Sequence, residues 1–288
     1  MRLFYYVHTG HRIGLDRFRR AATIIRELGD VDITLLTSDF RIASVARDYG
    51  VNRAVGVDVV RNIPQIAHHG DQIIFDSAEA NPALLADMQR FFSTFIRVSD
   101  DPEDEKGAGE FLLSPYLEGE DIYRGFAIDP ACFEAKEKRI KRAFFFGDDD
   151  YEEDLLKHLD MFRGHGMELL LGFYWFFGYE EKVGDAFGKQ HESEEYDEVV
   201  RGSEVLVTAS PQAALENLAS GGRPVFLQRP DYPRDYISCF ESLNIPVVDG
   251  YDEVRLSQVL DSVESHAYRV LENNTHKLGE FIKGRLNL

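Results

Sequence analysis

Positive charge is in short supply. The 288-residue chain carries 32 lysines and arginines against 51 aspartates and glutamates, a formal net charge of −19. A nucleic-acid-binding surface needs a sustained basic face, so general nucleic-acid binding is excluded as an expectation, and docking on anionic lipid is disfavoured. Cysteine is nearly absent: Cys132 and Cys239 stand in unlike contexts and form no metal motif, so both read as small buried apolar residues in a reducing, cytoplasmic setting. No uninterrupted apolar run of about 18 residues occurs, which excludes a membrane-spanning helix as an expectation. The start, MRLFYYVHTG, lacks the basic and long apolar segments of a secretory signal. Two nucleotide fingerprints are missing as well. No Gly-Lys-Ser/Thr follows TGHRIG, so it is not a phosphate loop of the Walker type, and no G-x-G-x-x-G follows any strand.

What is present is an alternation of short apolar runs with amphipathic segments. Leu3 to Val7 reads as a buried strand, and 16–28 as a helix with Phe18, Ala21, Ala22, Ile25 and Leu28 on one face. VDITLLTS, RAVGV, DQIIFDS and TFIRVSD follow as strands, with helices near 40–49 and over NPALLADMQRFF, where Pro82 suits a helix start. Strands too apolar to alternate, separated by helices, predict parallel sheets covered on both faces. The stretch 100–121 breaks the texture with nine acidic residues and one lysine, a lid or a protein-partner surface. A fresh strand, AFFFG, opens a second half built the same way. A helix over 151–163, the run MELLLGFYWFF read as strand and core, the strands EVLVTAS, RPVFLQ and IPVVDG, and a helical tail to Leu288 complete it. The expected fold is α/β: two Rossmann-like domains, 1–130 and 131–288, with parallel sheets facing a cleft. Open parallel sheets bind ligands at the carboxyl ends of their strands, which selects the loops 8–15, 76–81, 99–105, 147–151 and 208–213.

Those loops hold the candidate chemistry. EVLVTAS ends at Ser210, an N-cap residue, and Pro211 fits the first helical position, so the helix start offers main-chain amides and a positive dipole end to phosphate. HTGHRIGLDRFRR places Arg12, Arg17, Arg19 and Arg20 after a glycine-containing turn, a set able to clamp a phosphate or sugar carboxylate, two of the four being expected only to solvate the helix. Asp76 and Asp100 end strands and form a carboxylate pair of the kind acid/base work at an anomeric carbon requires, though strand-end aspartates also cap helices. GDDD at 147–150 either satisfies helix amides, the preferred reading, or holds Mg²⁺. His68 and His69 lack a third ligand, so no metal is expected.

Taken together, HRIGLDRFRR, IIFDS, RVSDD, YRGFAI, AFFFGDDD and VTASPQAALENLASGGRPVFL resemble, in order, the segments of GT-B nucleotide-sugar enzymes. The chain is most similar to the UDP-sugar hydrolase of the pseudaminic acid pathway. The resemblance implies that Gly147, Ser210, Pro211, Gln212, Glu216 and Asn217 hold the nucleotide, with Glu216 on the ribose. It also implies that Gly10, Arg12, Gly14, Arg17 and Arg20 contact the substrate. Asp16 and Arg17 stand where that family has a glycine and its catalytic histidine. Arginine stays protonated and cannot be a general base, so His11 or His8 is the expected substitute, beside Asp76 and Asp100. The expectation is a cytoplasmic glycosyltransferase or nucleotide-sugar hydrolase of surface-glycan synthesis, taking a UDP- or CMP-linked sugar and no cofactor. The alternative is a relative that binds the nucleotide sugar, or a protein partner, without chemistry.

Overall fold

The computed structural model describes residues 1–79, 81–232 and 234–287. Ala80, in the expected ligand loop 76–81, and Leu288, at the end of the expected tail, lie outside the described residues. The chain divides into two compact units, Met1–Ala127 with Asn274–Leu288, and Ile128–Asn273.

Unit 1 is a seven-stranded parallel sheet in the order β3-β2-β1-β4-β5-β6-β7. Its strands are β1 (Leu3–Val7), β2 (Ile33–Thr37), β3 (Ala54–Gly56), β4 (Gln72–Asp76), β5 (Thr94–Val98), β6 (Phe111–Ser114) and β7 (Ile122–Arg124). The helices between them are α1 (Asp16–Leu28), α2 (Phe40–Val45), α3 (Ile63–Ile66) and α4 (Pro82–Phe91). All five residues of β1 are buried, with Tyr5 and Tyr6 on opposite faces and both fully covered, as a central parallel strand requires. Phe4, Tyr6, Phe75 and Phe95 share one core with Leu84 and Met88 of α4. On α1 the predicted face, Phe18, Ala21, Ala22, Ile25 and Leu28, is the buried one, and Gly29 at φ 65° ends the helix.

β6 and β7 correct the reading of 100–121. That acidic stretch contains a strand, because Glu110 is swallowed by Arg97 of β5, whose Nη2 donates to Glu110 Oε1 at 2.8 Å. Paired this way, the carboxylate no longer opposes burial.

Unit 2 is a six-stranded parallel sheet in the order β10-β9-β8-β11-β12-β13. Its elements are β8 (Ile140–Phe145), α5 (Asp154–Lys157), β9 (Glu168–Leu170), α6 (Tyr179–Val183), β10 (Gln190–His191) and α7 (Tyr196–Gly202). They continue through β11 (Ser203–Thr208), α8 (Pro211–Ala219), β12 (Arg223–Gln228), α9 (Ile237–Ser242), β13 (Val247–Asp249) and α10 (Glu253–Ser262). One face of the sheet packs Phe144, Val205, Val207 and Val225 on Leu256 and Val259 of α10. The other packs Phe145 and Leu206 on Tyr196, Val199 and Ala213. Burying each such side chain contributes about 1.5–3 kcal/mol.

Three expectations are corrected here. The tail assigned to the second domain ends in α11 (Thr275–Lys283), which belongs to unit 1. It lies so close to α1 that a Cβ on Gly279 would fall 2.6 Å from Glu27 Cγ, and Lys283 Nζ donates to Glu27 O at 3.2 Å. The helix expected over 151–163 is reduced to α5 and a 3-10 turn, because Glu153 sits at φ 54°, outside helical space. The run 173–177 is not strand. β9 stops at Leu170, Tyr174 is buried and Phe177 is fully exposed. Both cysteines are buried, and burial pushes the Cys132 thiol well above its ordinary range. No helix among the described residues is long and apolar enough to cross a membrane.

Candidate functional site

Each sheet has a point where its strand order reverses, between β1 and β4 in unit 1 and between β8 and β11 in unit 2. Loops leaving the carboxyl ends of such strands diverge, and the gap between them is where open α/β sheets take ligands.

In unit 1 this point is built from the 8–14 turn and the end of β4. The His8 N–H donates to Asp76 O at 3.0 Å and the Thr9 N–H to Ser38 Oγ at 2.9 Å, tying the turn to β4 and to the end of β2. Gly14 N then donates back to Gly10 O at 3.0 Å. The turn needs left-handed backbone at Gly10 (φ 141°) and Gly14 (φ 75°), and it holds Arg12 at φ 65°, unusual for a residue with a Cβ.

α1 then delivers Arg17 and Arg20 one turn apart on one face. Arg20 donates through Nε and Nη2 to the two oxygens of Asp76, at 2.6 and 2.5 Å, and through Nη1 to Asp100. Asp76 is fully buried and also accepts from Tyr5 Oη at 3.3 Å. Burial works against the Arg20 charge, but Asp100 and Asp76 more than restore it. The Tyr5 phenol is pushed up, first by burial and then by Asp76. The expected acid/base pair is thus brought together, with Arg20 as the hand that holds it. Asp76 is no loose helix cap.

Arg17 is different. Its side chain is only 14% exposed, yet its nearest carboxylate oxygens lie at 3.5 Å (Asp76) and 4.0 Å (Asp100). His8 lies beside this cluster with Nδ1 3.9 Å from Glu79 Oε2. Burial lowers the His8 imidazole below its ordinary value, with Glu79 opposing and Arg17 assisting. Glu79 is itself fixed by Tyr6 Oη, which donates at 2.7 Å. Of the other two arginines, Arg12 is exposed, whereas Arg19, buried and 3.4 Å from Asp16, is not one that only solvates the helix. His11 is half-buried on the same turn.

In unit 2 the switch point joins the 147–150 turn to the start of α8. Gly147 has φ 115°, and a Cβ there would lie 3.3 Å from Tyr232 Oη. The three aspartates are buried, which separates the two readings of this turn. Asp150 accepts from the Asp154 N–H (2.8 Å), the Leu155 N–H (3.0 Å) and Tyr179 Oη, and Asp149 accepts from the Tyr151 N–H at 3.0 Å. They serve backbone amides, and no group of three potential ligands among the described residues is placed to hold a metal. Burial raises the Asp150 carboxyl above its usual range. Arg229, which sequence reasoning passed over, runs beneath the turn. Its Nη1 donates to Asp149 O at 2.9 Å, and its guanidinium lies 4.1 Å from the Phe146 ring centre.

At α8, Ser210 Oγ accepts from the Ala213 N–H at 3.0 Å and Pro211 occupies the first turn. Glu216 is buried on the helix: Oε2 accepts from Tyr196 Oη at 2.9 Å and Oε1 from Gln212 Nε2 at 2.8 Å. Asn217 departs from its expected role. It is fully buried, and its Nδ2 donates to Val200 O (2.7 Å) and Ser203 O (3.1 Å), a brace between α7, β11 and α8. Gly222 permits this, since a Cβ there would fall 2.4 Å from the Asn217 amide. Asn217 therefore cannot offer that amide to a nucleotide.

No family model matches the chain, and no curated protein matches it in sequence. Solved structures do. The chain is similar to the Methanocaldococcus jannaschii UDP-GlcNAc 2-epimerase in complex with UDP-GlcNAc and UDP, with a TM-score of 0.67 and 12% identity over 99% of each chain. It is similar to the Neisseria meningitidis UDP-GlcNAc 2-epimerase bound to UDP-GlcNAc, with a TM-score of 0.66 and 8% identity over 99% of each. The E. coli heptosyltransferase WaaC with ADP follows at 0.52 and 11%, over 93% of this chain and 99% of that one. At such identity the likeness is one of fold, and the fold is GT-B: two Rossmann-like domains with parallel sheets of seven and six strands.

Proposed function

We propose that this chain is a nucleotide-sugar-processing protein of glycan biosynthesis, with unit 2 holding the nucleotide. The observation that carries the reading is the unit 2 switch point. There a glycine turn that tolerates no side chain adjoins a serine-capped helix start carrying a buried glutamate. The main-chain donors and dipole of α8 suit a diphosphate, with Gly147 allowing close approach and Arg229 offsetting the aspartates of the turn. Glu216, held by Tyr196 and Gln212, is the carboxylate we assign to the ribose hydroxyls. Three similar structures, in complex with UDP-GlcNAc and UDP, with UDP-GlcNAc and with ADP, share the fold across nearly the whole chain and support the assignment.

In this reading His8 is the base. It is kept uncharged by burial, and its ring can take a proton from a water or an acceptor hydroxyl, as hydrolysis or transfer requires. Asp76 and Asp100 hold Arg17 and Arg20 in place. We assign the chain to the cytoplasm and leave metals and organic cofactors out of the scheme. Ligand at about a hundred times its Kd should stabilise the fold by about 2.7 kcal/mol. UDP or CMP, and not NAD, is expected to raise the melting temperature, and Glu216→Ala to abolish the shift. A null result with every nucleotide overturns the assignment.

One observation favours a second reading, binding without chemistry. Arg20 occupies both carboxylates. Product analysis separates the two. Turnover that His8→Ala removes supports the enzyme; nucleotide-sugar binding without product, in the parent chain, supports the binder.

A further inference from the structure

A group of cations stands at the amino end of β8, the end of that strand remote from the 147–150 turn. Lys138 lies half-buried two residues before β8. Its Nζ donates to Arg201 O at 2.7 Å and to Ser220 Oγ at 3.2 Å, joining the last turn of α7 to the end of α8. Both acceptors are uncharged. Three other lysines of unit 2 meet carboxylates instead: Lys141 pairs with Glu204 and Glu264, Lys157 with Asp154 and Lys182 with Glu153. Lys138 forms no ion pair among the described residues, so its two hydrogen bonds hold the amine in place without balancing its charge.

Arg201 and Lys136 press on Lys138 with like charge, and these two share one carboxylate, Asp197. Lys136 Nζ donates to Asp197 Oδ2 at 2.9 Å, and Arg201 Nη1 donates to the two Asp197 oxygens at 3.1 and 3.3 Å. Arg201 Nε is buried and has no acceptor among the described residues. Glu137 is engaged by Arg139 at 2.8 Å, with both side chains exposed. The Cys132 thiol also acts on Lys138, but burial pushes it up and keeps it neutral. Burial first, and then Arg201 and Lys136, bring the Lys138 ammonium down to about 8. Such a lysine holds free amine near neutral pH, where an ordinary one is almost wholly protonated, and the free amine is the nucleophile.

We propose that Lys138 is a modification site that takes up carbon dioxide, as a carbamate held by Lys136 and Arg201. The amine lone pair attacks the carbon of CO2, one C=O electron pair moves to oxygen, and the nitrogen releases a proton to water. R–NH2 and CO2 thus give R–NH–COO⁻ and H⁺, with no change of oxidation state. Carbon dioxide is small enough for a half-buried amine, and its adduct is an anion. The adduct replaces a third cation by a negative charge beside Lys136 and Arg201, and brings acceptor oxygens to a neighbourhood where Arg201 Nε has none. The nitrogen keeps one N–H for Arg201 O. A neutral acyl group would match neither cation. The site lies at the other end of β8 from the nucleotide turn and stands independently of the nucleotide assignment.

The test uses the full chain in buffer equilibrated with carbon-13-labelled bicarbonate at about pH 7.5. Carbon-13 NMR detects the carbamate, and trapping with a trialkyloxonium salt followed by peptide mass spectrometry locates it. Lys138 is expected to carry about tenfold more carbamate than any other lysine. Lys138→Arg keeps a cation and its donors but stays protonated, and it should remove that carbamate. Arg201→Gln should lower the occupancy of Lys138 several-fold, because the amine regains its proton and the adduct loses a partner. Carbamate on no lysine, on the α-amino group alone, or on Lys138 no more than on the others overturns the proposal. So does unchanged occupancy in Arg201→Gln. If either variant fails to fold, the map of labelled lysines in the parent chain decides by itself.

Discussion

The two switch points occupy the same place in their sheets and are made by opposite means. In unit 2 the side chains turn inward on their own neighbourhood. Asp149, Asp150 and Ser210 accept from amides two to five residues away, and Tyr179 and Arg229 reach across the sequence to brace the turn. In unit 1 the side chains look outward. Arg20 binds carboxylates 56 and 80 residues further on, and Glu79 is held by a tyrosine 73 residues back. The first design leaves main-chain donors as the recognition surface and suits a ligand with phosphates. The second builds a floor of ion pairs drawn from distant strands.

This contrast can be broken most forcibly at Arg20. Arg20→Ala strands two carboxylates, one of them fully buried, and should cost about 3–5 kcal/mol in denaturant unfolding. A loss below about 1 kcal/mol would mean that Asp76 and Asp100 find water or another cation, and that the floor of unit 1 is soft. Asn217→Ala sharpens the account of unit 2. It leaves the carbonyls of Val200 and Ser203 without their side-chain donor and should cost about 2 kcal/mol, while the folded fraction keeps its affinity for UDP. A large loss of UDP affinity with stability intact would return Asn217 to the nucleotide.

Ser210→Ala removes the cap of α8 and should lower stability by about 1 kcal/mol. It should weaken UDP binding, as isothermal titration would show. The smallest effect concerns pH. The folded-state value of His8 is lowered, so the unfolded chain binds the proton more readily in the window below the ordinary histidine value. Stability is therefore expected to rise with pH through that window and to fall as the pH drops below it. The slope should flatten in His8→Gln, and an unchanged slope would place the imidazole in water.

How much of this could be read along the chain follows the same division. The apolar strands, the face of α1, the Ser210–Pro211 start of α8 and the service of Asp149 and Asp150 to nearby amides all follow from spacings of a few residues. The misses come from longer reach. β6 is hidden in a stretch of nine acidic residues read as a lid or partner surface, because nothing along the chain marks Arg97 as the partner of Glu110. α11 carries nothing to say that it returns to α1. Asn217 read as a ligand residue because its position in the segment matched, whereas the carbonyls it binds lie on elements brought to it by packing. Glu79 had only its place after IIFDS to recommend it, and Arg229 had no signal at all.

Periodicity, capping chemistry and turn glycines act over a handful of bonds, so the order of residues was enough to set the class of fold, most strands and the form of the α8 helix start. The pairing of Arg20 with Asp76 and Asp100, the looser pairing of Arg17 with the same carboxylates and the bracing by Asn217 and Arg229 depend on which strands lie side by side. Strand order is settled by the burial of whole faces, a global balance that no short window of residues contains.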